Sequence, residues 1–278
     1  MIVVSALVGS CAASLGIVGI AMLIEQKILC QKPALLQEEN AGEIIQTGID
    51  AVCSNIPNNS INSAPDLTTS WFLAEVERNG MALEHAPQKV KQDWKVVRAA
   101  VRNNGMALMY AADKLKKDFH VVIAAVTQNG MALIHADPTL KANRICVRAA
   151  VGRNGLALQY AAHKLKQNWE VVYTAVGKNG MALIYADSTL KANENLVLRA
   201  VNQCGLALEH AHPTLKAKRN VVLAAVTQNG MALIHADPTL RNNRSFVLAA
   251  VRKKPQAFKY VTDTELLKDP EIRAAAGL

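Results

Sequence analysis

The sequence predicts an all-α fold: a right-handed-type α-solenoid of about eight 25-residue helix–turn–helix units, preceded by an N-terminal transmembrane helix. Three observations lead there. Glycine returns every 25 residues, at Gly80, Gly105, Gly130, Gly155, Gly180, Gly205 and Gly230, with Pro255 in the next place. Inside each period the apolar residues keep helical spacing. Ahead of the repeats, residues 2–24 run for 23 residues without a charge. A fixed period of this length marks units that stack on their neighbours instead of closing one globule.

The first element is the uncharged run, Ile2 to Ile24, expected as a transmembrane anchor over residues 1–24 because about 20 apolar residues span a bilayer. Ser5, Gly9 and Ala13 fall at the spacing that lets membrane helices approach closely. A cleaved signal peptide is the rival reading, but Lys or Arg ahead of the apolar run is missing. Lys27 and Lys32 follow the run, so the positive-inside rule predicts a single-pass membrane protein with its repeats facing a cytoplasm.

Residues 25–67 read as a linker. Leu35, Leu36, Ile44, Ile45, Ile49 and Val52 could line a short amphipathic helix, and the Asn/Ser/Pro-rich stretch 54–66 suits a flexible tether. The helical repeat domain follows over 68–267, with units starting near 68, 93, 118, 143, 168, 193, 218 and 243, and residues 268–278 close it as a C-terminal cap.

The unit 118–142 shows how one period should fold. Asp118 can cap a helix N-terminus by accepting from its free amides, and Asp93, Asn143, Asn168, Asn193 and Asn243 hold the same place. Val122, Ala125 and Val126 then make one apolar stripe. The helix is expected to stop at Asn129-Gly130, with glycine in the left-handed conformation. A second, shorter helix follows with Ala132, Leu133 and Ala136 facing in, and Asp137-Pro138 starts one more turn. Isolated helices this short are marginal in water, so stacking must supply the burial. The end units depart from the pattern: Trp71 and Phe72 occur in the first, Lys254-Pro255 and Phe258 in the last, as exposed stacking faces require.

Composition restricts the chemistry. Hydrophobic residues make up 51% but aromatics only 4%, so the core must be Ala, Val and Leu. The net charge of +9 is uneven: residues 1–92 carry 5 Lys/Arg against 9 Asp/Glu, and residues 93–278 carry 26 against 13. A basic repeat region suggests an anionic partner or surface. The five cysteines are odd in number, widely spaced and never paired as C-x-x-C, which argues against a disulfide framework or a zinc site. No Ser/His/Asp set, nucleophile elbow or phosphate loop is present, and the expectation is a protein that is not an enzyme and takes no cofactor.

The phrase V-V-x-A-A-V-x-x-N-G-x-A-L-x-[YH]-A stands at Val121 and Val221, with counterparts from Val96 and Val171. It resembles an uncharacterised helical repeat, a domain of unknown function found in tandem in effector-type proteins of amoeba-infecting intracellular bacteria and in some protists. The likeness covers roughly residues 68–267. It implies no established activity, cofactor or catalytic residue, and it implies action inside a host cell, at a host membrane.

Two columns are the candidate sites. Lys91, Lys116, Lys141, Lys166, Lys191, Lys216 and Arg241 recur once per unit and would form a cation ladder able to meet phosphates on nucleic acid or anionic lipid. The plainer alternative is a solvated cation near a helix C-terminus. His85, Tyr110, His135, Tyr160, Tyr185, His210, His235 and Tyr260 form a ring column, which reads foremost as packing, each polar tip reaching a neighbour. Asn79, Asn104, Asn129, Asn154, Asn179 and Asn229 read as turn chemistry before glycine. The leading functional expectation is a non-catalytic, membrane-tethered scaffold that binds an unknown protein partner. A basic solenoid holding phosphoinositide membrane or nucleic acid through the lysines is the alternative.

Overall fold

Each period folds into three pieces, set by where backbone hydrogen bonds can and cannot continue. A computed structural model describes residues 67–278, and Ala64–Leu278 is one compact unit of the chain. The long helices are Leu67–Arg78, Trp94–Asn103, Phe119–Gln128, Arg144–Arg153, Trp169–Lys178, Glu194–Gln203, Arg219–Gln228 and Arg244–Lys253. Each is followed by a six-residue 3-10 helix, as in Gly130–His135, and then by a single α-turn, as in Pro138–Lys141. A last helix, Pro270–Ala276, lies on the end of the stack with Ile272 buried.

The expected caps form. Asp118 Oδ1 accepts from the Val121 amide at 2.9 Å, and Asp93, Asn143, Asn168, Asn193 and Asn243 do the same for their helices. Lys218 takes this place in the seventh unit and makes no side-chain cap. The core is a continuous column of small apolar residues: Val97, Val122, Val147, Val172, Val197, Val222 and Val247 are all fully buried, as are Ala100, Ala125, Ala150, Ala175, Ala200, Ala225 and Ala250. Among the described residues no polar or charged residue is buried with them.

Three expectations are corrected. First, the second, shorter helix of the unit is not an α-helix. The segment after the glycine winds as a 3-10 helix, whose three residues per turn place Gly130, Leu133 and Ala136 on one buried line. Second, the repeat glycines are not left-handed: among the described glycines only Gly277 has positive φ, at 82°. Asn129 ends the long helix instead, by taking extended backbone at φ −139°, ψ 110°, and its Oδ1 then caps the 3-10 helix by accepting from Met131 at 3.0 Å. Third, the predicted transmembrane helix and single-pass membrane placement do not stand. No helix among the described residues is long and apolar enough to cross a membrane, and the run 2–24 lies outside them, as does the linker up to residue 66.

Glycine is needed because two backbones nearly touch. A Cβ on Gly130 would stand 2.3 Å from the carbonyl oxygen of Ala150 in the next unit, and the same clash recurs from Gly80 to Gly205 against Ala100 through Ala225. Gly230 meets the Ala257 backbone instead, at 2.8 Å. A second link is a backbone bond across each junction: Ala112 N–H donates to Lys91 O at 3.0 Å, Asp137 to Lys116 at 3.0 Å and Ala162 to Lys141 at 2.9 Å, continuing through Asp237 to Lys216.

Two alanine substitutions should separate these roles. Gly130→Ala forces the units apart and should cost about 1–3 kcal/mol, the range for overpacking a tight site. Gly152→Ala, in a helix with nothing within 4 Å of the new Cβ, should gain up to about 1 kcal/mol. Thermal melting of both variants reads the contrast.

Candidate interaction surface

The single α-turn places the seven ladder cations at equivalent points, and all seven are half-buried rather than free. Five of the lysines turn their ammonium groups back onto the protein. Lys91 Nζ donates to Glu84 O at 2.7 Å, Lys166 to Gln159 O at 2.7 Å, Lys191 to Ile184 O at 2.8 Å and Lys216 to Glu209 O at 2.7 Å. Lys116 pairs with Asp113 at 3.6 Å. Lys91, Lys166, Lys191 and Lys216 thus each cross the end of their own 3-10 helix and satisfy a carbonyl there, with the cation on the helix-dipole side that favours it, whereas Arg241 Nε is buried without a hydrogen-bond partner.

The structure brings the ring column to the same edge. His135 lies within reach of the charges of Lys116 and Lys141, and His210 of Lys191 and Lys216. Three rings contact the residue that precedes the ring one unit earlier. Tyr185 donates its hydroxyl to Gln159 Oε1 at 3.4 Å, Tyr110 bonds Glu84, and His235 Nε2 lies 3.9 Å from Glu209 Oε2. At His135 the equivalent residue is Met109, and its Nε2 is buried without a partner. Burial first, then the neighbouring lysines, hold His135, His210 and His235 below the usual histidine value. The Glu209 carboxylate opposes this at His210 and His235.

The Asn column acts as capping: Asn79, Asn104, Asn129, Asn154, Asn179 and Asn229 each accept from the amide two residues on. Cys204, in the same place, provides no side-chain cap. Beside this column sits a row of amides that the sequence reading did not single out. Asn103 accepts from Gly80 N–H at 2.8 Å and donates to Glu77 O at 2.9 Å; Gln128 joins Gly105 and Asn103 in the same way. A shallow polar depression opens there, lined in part by Gln128, Gly130, Arg153 and Asn154.

A second cluster was also missed. Trp169, Tyr173, Arg199, Glu170, Arg144 and Arg148 meet on the exposed side of the long helices of units four to six. The available signal was the break in pattern, since Arg199 stands where Ala99, Ala124, Ala149, Ala224 and Ala249 stand in other units. Among the described residues no group of three His, Cys, Asp or Glu could hold a metal, and burial pushes the Cys146 thiol up to about 11.

Two measurements follow. The three depressed histidines stay neutral when folded while the unfolded chain takes up protons near pH 6.5, so their contribution is complete above that pH and is lost as pH falls below it. The melting temperature should therefore drop between about pH 7 and 5, and less so in His135→Tyr, which installs the ring of other units. Lys166→Met should cost about 1 kcal/mol through its lost carbonyl bond, whereas exposed Lys164→Met should stay within about 0.5 kcal/mol of neutral; urea titration distinguishes them.

Neither a curated protein nor a solved structure matches the chain. A family profile described as "Domain of unknown function (DUF4116)" matches in tandem, over residues 76–116, 95–141, 118–166, 168–216 and 218–272. These matches span most of the stacked units, and the chain belongs to that family of repeats.

Proposed function

We propose that this protein is a non-catalytic helical-repeat scaffold that presents its outer surface to a partner protein. The observation that carries the reading is a division of labour between repeated and unrepeated positions. The recurring Asn, Lys, Gly, Val and Ala residues are consumed in caps, junctions and core. The exposed side of the long helices varies freely: the position after the cap holds Trp94, Phe119, Arg144, Trp169, Glu194, Arg219 and Arg244. A rigid frame with a variable face is how stacked-repeat proteins recognise partners. Resemblance to effector-type repeats supports placing that partner in a host cell.

The half-buried, carbonyl-bound lysines argue against the ladder as the docking row, because binding phosphate there would first break an internal bond at Lys91, Lys166, Lys191 and Lys216. Affinity capture with the full chain tests the choice, run beside a variant with Lys91, Lys141 and Lys191 changed to Gln. A protein retained equally by both, after nuclease treatment and across about 0.05–0.2 M salt, is the expected result. Retention of nucleic acid or lipid that is lost in the variant and falls steeply with salt would overturn it.

A further inference from the structure

The cluster on units four to six is built from side chains that the frame does not need. Trp169 and Tyr173 lie one turn apart, with ring centroids 5.3 Å apart and planes at 29°. Arg199, from the next long helix, lies 4.1 Å from the Tyr173 ring centroid. It donates through Nε to the Tyr173 carbonyl at 3.2 Å and through Nη1 to the phenol at 3.3 Å. Space for this guanidinium exists because Gly177 has no side chain: a Cβ there would stand 2.2 Å from Arg199 Nη2. On the other side, Glu170 accepts from Arg148 at 2.8 Å and from Arg144.

The rings remain open, Trp169 at 41% and Tyr173 at 38% exposure. Other units stack with Arg98, Ile123, Arg148, Leu198, Leu223 or Leu248 in place of Tyr173 and with alanine or Thr174 in place of Arg199, so packing does not explain the set. What results is an apolar platform with its side chains already held in place, flanked by three guanidiniums against one carboxylate. Trp, Tyr and Arg are the residues that dominate protein–protein hot spots, and a pre-ordered side chain loses less entropy on binding.

We infer that this patch docks an acidic segment of a partner protein, which lays an apolar side chain on Trp169 and Tyr173 and sets carboxylates against Arg144, Arg148 and Arg199. The choice of an acidic occupant rests on charge complementarity. The three guanidiniums outnumber the single carboxylate of the patch, and residues 93–278 carry 26 Lys/Arg against 13 Asp/Glu. The inference builds on the scaffold reading and narrows its partner.

The test is selection of displayed peptides of about 16 residues on the full chain, followed by affinity measurement on Trp169→Ala, Arg199→Ala and Gly177→Ala. Gly177→Ala keeps every recognition residue but pushes the Arg199 guanidinium off Tyr173, and alanine suits the helix it enters. Expected are sequences rich in Asp and Glu around Leu or Phe, each variant weakening them roughly tenfold or more while melting like the parent. Absence of acidic enrichment, unchanged affinity for the variants, or displacement of the peptides by an oligothymidine would each overturn the inference. The scaffold reading survives those results if full-chain capture of a partner persists in Trp169→Ala, so the two can fail separately.

Discussion

The near-touch between a glycine and the next unit's alanine carbonyl sets the geometry of the whole stack. With Gly130 Cα pressed toward Ala150 O, the end of one long helix sits under the start of the neighbouring 3-10 helix, and a side chain at either place would open the junction. Other features then follow. The core is filled at close packing by the Val and Ala columns together with one fully buried leucine per unit, as at Leu108, Leu133 and Leu158. Asn129 must leave the helix in extended backbone to deliver the glycine to that spot, and its side chain is then placed to cap what comes next. At the last junction the constraint lapses. Pro255 replaces glycine where no ninth long helix arrives, and the Pro270–Ala276 helix closes the face.

That closure rests on a charge network as well as on Ile272. Arg244 binds Asp269 at 2.6 Å and Glu271 at 2.9 Å, while Arg252 reaches Glu271 at 2.5 Å. Exposed pairs of this kind contribute little singly, but Asp269 also caps the helix it begins. The carboxyl of Asp269 is held below the usual range first by the Arg244 bond and then by the Ile272 amide. The same economy appears at the ladder, where a cation that looked like a recognition element completes the hydrogen bonding of a short helix. A half-buried lysine with a carbonyl partner is a structural part, and what the molecule offers to others lies on positions that differ between units.

The period of 25, the helical spacing of Val122, Ala125 and Val126, and the caps at Asp118 and its equivalents were legible in the sequence because each depends on neighbours within a few residues or on simple recurrence. The role of glycine was not, since the atom it must avoid belongs to a residue 20 positions away. The sequence also could not separate a short α-helix from a 3-10 helix over Gly130–His135: the same Ala and Leu residues suit both, and the packing of Gly130 against Ala150 decides. The amides of Asn103 and Gln128 reach back 23 residues to a glycine N–H, a link no local pattern records.

By itself, then, the sequence determined a tandem helical repeat, its register and its boundaries at capping residues, because recurrence and local hydrogen-bond chemistry are written along the chain. Only the tertiary structure decided which repeated polar residues are spent inside the frame and which exposed ones remain to meet a partner. Lys166 turning onto Gln159 O and Arg199 settling over Tyr173 depend on distances between segments brought together by stacking, and those distances have no counterpart in one dimension.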